Sequence, residues 1–125
     1  MARTGYPVEP PSEQQGSLSS FIARDPTTTR QVVQYASGAK FAAVSYRLLP
    51  GATAVANQFA KFVVNAASDA DANGKLATDG AFTALCQGDD VLLSAAPNDP
   101  ILRIDFITEQ AVGAEKTILQ ILAGV

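Results

Sequence analysis

The side chains best spaced for chemistry are a run of acidic and amide groups in the middle of the chain. Asp69, Asp71 and Asn73 alternate with alanine and precede Gly74, which matches the opening of the D-x-[DN]-x-[DN]-G calcium loop. The twelfth position of that loop, however, is Gly80 and not the bidentate glutamate that closes a calcium site. We therefore predict a surface turn held by side-chain-to-backbone bonds. A weak cation site formed by Asp69, Asp71 and Asn73 is the alternative.

The rest of the sequence offers little for catalysis. The chain has no histidine, which removes the commonest general base and the commonest transition-metal ligand. Asp89 and Asp90 are adjacent, and neighbouring strand residues face opposite sides, so this pair predicts solvated turn residues and not an acid/base dyad. No nucleophile elbow, phosphate-binding glycine loop or S-x-x-K motif occurs. We expect no catalytic residue, no enzyme activity and no cofactor.

Composition predicts one ordinary globular domain with an appended segment. Apolar residues make up 47% of the 125 residues and charged residues 17%. No apolar run approaches the roughly 20 residues of a membrane helix, and no secretory signal is recognisable, so no membrane association is expected. The single cysteine, Cys86, excludes an internal disulfide and is expected to be a small buried hydrophobe.

Charge is divided unevenly along the chain. Residues 1–47 carry five cationic side chains against three carboxylates, whereas residues 48–125 carry four against nine. A mildly basic N-terminal segment on an acidic body favours docking on a neighbouring copy. No concentrated basic face is present, so nucleic-acid binding is not expected.

The elements that would position these groups are predicted to be strands. The run QVVQYASGAKFAAVSYRLL predicts strand, turn and strand around Ser37-Gly38, and Pro50-Gly51 predicts a type II turn. Residues 53–66 fit a strand slightly better than a helix, because FAKFVVNA is rich in aromatic and β-branched residues.

The second half of the chain continues the strand pattern. AFTALC and VLLSAA flank a four-residue turn, which predicts a hairpin. ILRIDFIT places Leu102, Ile104 and Phe106 on one face of a half-buried strand, and KTILQILAGV predicts a strand that is apolar on both faces. The predicted fold class is all-β: an antiparallel β-sandwich or small barrel over residues 31–125, with an extended N-terminal arm over residues 1–30 and room for one short helix.

The predicted arm is rich in proline, serine, glutamine and glycine, and we expect it to be a contact segment, because it buries too little apolar surface to fold alone. Deleting residues 1–24 is expected to leave the body folded and to abolish assembly binding. The C-terminal strand is expected either to be buried within the chain or to meet a symmetry mate. The predicted partner-binding residues are Arg3, Tyr6, Pro7, Val8, Pro10, Pro11, Leu18, Phe21, Ile22, Arg24 and Arg30 in the arm, and Ile118 and Ile121 in the last strand.

The organisation of the chain resembles that of capsid decoration, or cement, proteins of tailed bacteriophages. The resemblance rests on the MARTGYPVEPPSEQQGS arm and on the β-rich body with its SDADANGK and CQGDD turns. It implies a non-enzymatic homo-oligomer, with a trimer favoured, that binds the major capsid protein on the virion surface. A tail, connector or head-fibre protein, or a small cellular binding module, is the alternative.

Overall fold

The computed structural model describes residues 18–51, 59–108 and 117–125. These residues form eight strands and one helix. The elements are β1 (Leu18–Arg24), β2 (Gln31–Ala39), β3 (Phe41–Leu48), β4 (Phe59–Val64), α1 (Asp69–Leu76), β5 (Thr83–Cys86), β6 (Asp90–Ser94), β7 (Ile101–Thr108) and β8 (Thr117–Gly124).

The strands build two four-stranded antiparallel sheets that pack face to face. Sheet A has the order β1-β8-β3-β6 and sheet B the order β2-β7-β4-β5. Alternate residues of both sheets point into one shared core, in which the largest shielded side chains include Tyr46, Phe62 and Phe106. The predicted all-β sandwich is therefore confirmed, as is its short helix.

Two pairs of consecutive strands, β2 with β3 and β5 with β6, cross from one sheet to the other. β2 lies in sheet B and β3 in sheet A, with Lys40 as the single residue between them. β5 pairs with β4, whereas β6 pairs with β3, so AFTALC and VLLSAA do not pair with each other. A local alternation of apolar residues predicts a strand but not its partner, and the hairpin predicted for AFTALC and VLLSAA is wrong for that reason. The two strands predicted around Ser37-Gly38 are present, but the break between them lies at Lys40.

The strand predictions around these crossings hold with adjustments. Phe59–Val64 is a strand, and the rest of the ambiguous stretch before residue 59 lies outside the described residues. Ile104 and Phe106 are fully buried, but Leu102 is half exposed. The alternation of β7 changes phase at the same end of the strand where the β2–β7 register shifts, between Gln34 and Ala39.

The first strand enlarges the body beyond the predicted boundary at residue 30. Leu18–Arg24 forms seven residue pairs with β8, and the Phe21 ring packs edge-on against Phe106 at a centroid distance of 5.7 Å. Alternation of Phe21 and Ala23 toward the core makes this segment part of the sandwich and not of an arm.

Residues 69–76 form a helix and not the predicted turn. Ser68 caps it by accepting a hydrogen bond from the Asp71 N–H at 3.1 Å, and the Asp71 carboxylate accepts one from the Ala67 N–H at 2.9 Å. Ala72 and Leu76 pack with Val63 on the outer face of sheet B.

Candidate functional site

The two outer faces of the sandwich differ in what covers them. On sheet B, α1 packs over β4 and β7 and forms a small second core with Phe82 and Ile107. On sheet A, no described element lies over the outer side chains. We call this surface the sheet A face; its apolar members are Leu18, Ile22, Phe41, Ala43, Leu92, Ile118 and Leu122.

Strand register brings these side chains together in rows. Ser20 stands opposite Leu122, Leu122 opposite Ala43, and Ala43 opposite Leu92, so one row crosses all four strands. Three large apolar side chains of the face are strongly exposed: Leu18 at 67%, Leu92 at 65% and Ile22 at 50%. Single exposed apolar residues are ordinary, but a contiguous set across a sheet marks an interaction surface.

The sheet A face is not flat. The Phe41 ring lies directly against Gly124, where a Cβ atom would overlap it. Beside it, a shallow depression of about 270 Å³ is lined by Leu92, Leu122, Gln120 and their neighbours. Charges stand toward one end of the face, where Arg47 donates to Asp90 at 2.9 Å.

The second site of interest is an ion-pair cluster on the outer side of sheet B. Asp105 is completely shielded, and its Oδ2 atom accepts hydrogen bonds from Arg30 at 2.7 Å and from Arg103 at 2.6 Å. Arg103 also donates to Asp105 Oδ1 at 2.8 Å and to Asp69 at 3.0 Å. Arg30 donates in addition to the side-chain Oδ1 atom of Asn73 at 2.8 Å. The cluster therefore ties the segment before β2 to β7 and to α1.

These contacts shift the titration of the exposed carboxylates. The hydrogen bond from Arg103, followed by the charge of Arg30, holds the pKa of Asp69 below its usual value. The hydrogen bond from the Ala67 N–H, followed by that from Lys75, lowers the pKa of Asp71. The hydrogen bonds to Asp105 and then Asp69 raise the pKa of Arg103. These pKa directions keep Asp69, Asp71 and Arg103 charged at neutral pH.

The three residues of the candidate cation site take part in this network. Asp69 and Asn73 face arginine donors, and Asp71 faces Lys75 at 3.1 Å. Their oxygens therefore accept from protein cations and do not converge as a loop of ligands would. No group of three His, Cys, Asp or Glu side chains with metal-binding spacing occurs in the described ranges.

The predicted partner-binding residues fall into three groups. Arg3, Tyr6, Pro7, Val8, Pro10 and Pro11 lie outside the described residues. Leu18, Ile22, Arg24 and Ile118 alternate onto the outer side of sheet A. Phe21, Arg30 and Ile121 are placed differently: Phe21 packs on the core, Ile121 is fully buried, and Arg30 belongs to the ion-pair cluster.

Strand alternation explains the inward placement of Phe21 and Ile121. Phe21 and Ile121 are paired across β1 and β8 and point inward together, which leaves neither free to meet a partner. The alternation also corrects the prediction for Cys86, which is exposed because Leu85 takes the buried position of β5.

The sequence carried one signal that would have identified α1. Ser68, with Asp71 three residues later, fits the [ST]-x-x-[DE] capping pattern, and that pattern overlaps the calcium-loop match. The Arg30–Asp105–Arg103 cluster had no such signal, because its members are separated by up to 75 residues and meet only in the folded sheet.

Comparison with known proteins adds little to this description. No family model matches the chain, and no curated protein matches it. Among solved structures, the chain is similar to one described as "Bacillus endospore appendages form a novel family of disulfide-linked pili", with 8% identity, coverage of 98% of this chain and 99% of the other, and a TM-score of 0.37. That likeness is too low to support a conclusion about fold, family or function. Within the described residues no helix is long and apolar enough to cross a membrane.

Proposed function

We propose that this protein is a non-enzymatic structural subunit that docks on a larger protein assembly through the sheet A face and its N-terminal residues. The observation that carries the proposal is the set of exposed side chains Leu18, Ile22 and Leu92, which lie on the two edge strands of a sheet that no described element covers. The assembly expected from the organisation of the chain is the shell of a tailed bacteriophage. In that setting the protein is a decoration protein on the virion surface, oligomeric and most simply trimeric, with the major capsid protein as its partner.

The size of the face argues for two points of attachment. Four strands about 4.8 Å apart give the sheet A face its width, and seven residues with a rise of about 3.4 Å each give its length. The area of the face is therefore about 450 Å². A stable interface needs about 800 Å² from each partner, so the face supplies about half of that area. The apolar residues before Leu18, from Tyr6 to Pro11, supply the remainder in this proposal.

Such a subunit would act by mass action. A protein that binds the assembled shell and not its dissociated subunits stabilises the shell, and it needs no catalytic group to do so. Apolar contacts provide most of the affinity, while Arg24 and the Arg47–Asp90 pair at one end of the face bias its orientation.

The test measures oligomeric state and shell binding together. Size-exclusion chromatography with light scattering gives the mass of the free protein, and co-sedimentation with candidate phage capsids gives its affinity for the shell. Ile22→Lys and Leu92→Lys should each weaken capsid binding at least tenfold, because a lysine charge would be buried in an apolar contact. Leu102→Lys is the matched control, since Leu102 is as exposed as Ile22 but lies in sheet B.

Two results would overturn the proposal. One is a protein that stays monomeric and does not sediment with any capsid. The other is binding that falls equally for Leu102→Lys and the two sheet A variants, since the effect would then not be specific to this face.

A further inference from the structure

An open pocket lies at the end of the sandwich where Leu18 and Phe41 of the sheet A face stand, and it shares no lining residue with the ion-pair cluster. It has a volume of about 540 Å³, within the range of pockets that hold a ligand or a short peptide segment. We call it the end pocket; its lining residues are Ser37, Gly38, Ala39, Lys40, Ala95, Ala96, Pro97, Pro100 and Val125. Small side chains and prolines dominate this lining, so the backbone of an incoming segment can approach closely.

The first described residue of the chain stands at the same end of the sandwich. Leu18 is paired with Gly124, and Gly124 is paired on its other side with Phe41, which in turn stands opposite Ser94. Gly124 and Ser94 are each one residue away from a lining residue of the pocket. With strands about 4.8 Å apart, the N-terminal residues enter the sandwich at most about 15 Å from the pocket.

The preceding chain is long enough to span this distance. Pro11 is seven residues before Leu18, and an extended chain covers about 3.3 Å per residue, so Pro11 can reach about 23 Å. We propose that the end pocket binds residues 6–11 of the same chain. Linkage through so few residues gives the segment a high effective concentration at the pocket, which a second chain lacks in dilute solution.

The chemistry of the segment suits the pocket. Residues 6–11 are Tyr-Pro-Val-Glu-Pro-Pro, in which three prolines limit the backbone freedom that binding must remove. Tyr6 and Val8 supply apolar surface for the alanine and proline lining. Glu9 offers a carboxylate to Lys40, which is exposed and forms no ion pair with a carboxylate of the described residues.

This inference goes beyond the proposed function and does not depend on it. A segment held in its own end pocket would cover its apolar residues in the free protein, and it would have to leave the pocket before it could add to the contact area on an assembly. Its test can therefore be made on the isolated protein with no capsid present, and a failure of shell binding would leave it untouched.

The experiment is photocrosslinking of the full chain with Tyr6 replaced by benzoylphenylalanine. Equal amounts of unlabelled and ¹⁵N-labelled protein are mixed at low micromolar concentration, irradiated and analysed by mass spectrometry. We expect crosslinks from position 6 to the stretches 37–40 and 95–100, joining peptides of the same isotope only. Ala96→Trp should reduce these crosslinks at least fivefold by filling the pocket. Ala81→Trp is the control, since Ala81 is also exposed but does not line the pocket.

The crosslinking pattern distinguishes a supporting result from a contradicting one. Same-isotope crosslinks to the end pocket that Ala96→Trp removes support the inference. Crosslinks to other surfaces, mixed-isotope pairs at the pocket, or yields that are equal in Ala96→Trp and Ala81→Trp would overturn it. A thermal melt of each variant confirms that the protein is folded during irradiation.

Discussion

Arg30 and Asp105 form an ion pair on the outer side of sheet B in which the acidic partner is wholly shielded from solvent. Nη1 of Arg30 donates to Oδ2 of Asp105 at 2.7 Å, and the two residues are 75 positions apart in the chain. Arg103 donates to both oxygens of the same carboxylate. A shielded charge is tolerated only when it is fully paired, so this carboxylate makes the position of the segment before β2 depend on β7.

Replacing the shielded carboxylate should therefore be costly. Asp105→Asn keeps the shape but removes the charge that two arginines require, and we expect it to lower the free energy of unfolding by about 3 kcal/mol. Asp90→Asn is the matched control. Asp90 pairs with Arg47, but both side chains are exposed, so the loss should be below about 1 kcal/mol. Urea denaturation of the three proteins checks the difference, and equal losses would contradict the assigned role of burial.

Acid should weaken the attachment of α1. The pKa values of Asp69 and Asp71 are lowered in the folded protein, so their contribution to stability is present above the unfolded pKa and is lost as pH falls through the folded one. The loss should begin below about pH 4. We expect the urea midpoint of the native protein to fall more between pH 5 and pH 3 than that of Asp69→Asn. The same fall in both proteins would show that Asp69 does not contribute.

The sequence was sufficient for most strands of the body, but not for β1, which was predicted to belong to an arm, and not for the strand partners. The alternation of Ile104 and Phe106 with charged residues predicts β7, and the apolar run near the C-terminus predicts β8. Both signals are local. The crossing at Lys40 and the separation of β5 from β6 depend on which sheet offers a free edge, and that is decided only when the whole sandwich assembles.

The sheet A face and the end pocket also differ in how far a local sequence pattern predicts them. The sheet A face was partly predictable, because the sequence predicts Leu18 and Ile22 as partner-binding residues. It assigns them, however, to an extended arm and not to a strand of the sheet. Leu92 was missed, since within VLLSAA nothing distinguishes the exposed leucine from the half-buried Leu93 next to it. The end pocket is built from turns and strand ends that meet only in three dimensions, so no sequence pattern identifies it.

Two buried hydroxyl groups should respond oppositely to removal. The Tyr35 hydroxyl has no hydrogen-bond partner among the described residues, and burial raises its pKa. The Thr108 hydroxyl donates to the Pro26 carbonyl oxygen at 3.0 Å. Tyr35→Phe should leave the free energy of unfolding within about 1 kcal/mol of the native value or raise it, whereas Thr108→Val should lower it by about 1–3 kcal/mol. Thermal and urea unfolding would show the contrast, and a large loss in Tyr35→Phe would reveal a partner for that hydroxyl.

Gly38 should tolerate a methyl group less well than Gly51. Both have positive φ, at +82° and +87°, so alanine is strained at either position by about 1–2 kcal/mol. At Gly38 a Cβ atom would also lie 2.6 Å from Cβ of Pro100, whereas at Gly51 nothing lies within 4 Å. Gly38→Ala should therefore lose at least about 1 kcal/mol more than Gly51→Ala, because overpacking adds to the strain. Equal losses in urea titrations would mean that Pro100 moves aside freely.

Truncation distinguishes the contact segment from the body at the N-terminus. The composition of residues 1–30 suggested that deletion up to residue 24 would leave the body folded, but β1 makes that expectation untenable. Removing Leu18–Arg24 would break seven residue pairs with β8 and take Phe21 away from Phe106, at a cost that we expect to approach the typical 5–15 kcal/mol stability of a domain.

Deletion of residues 1–17 stops short of β1 and should leave the sandwich intact. Circular dichroism and urea unfolding of the two truncated proteins check this directly. A cooperative transition for the shorter deletion, together with an unfolded or aggregating longer one, places the boundary between contact segment and body at Leu18. A folded protein lacking residues 1–24 would mean that β8 can serve as the edge of sheet A, despite the apolar surface that the loss of Phe21 and Ala23 would expose.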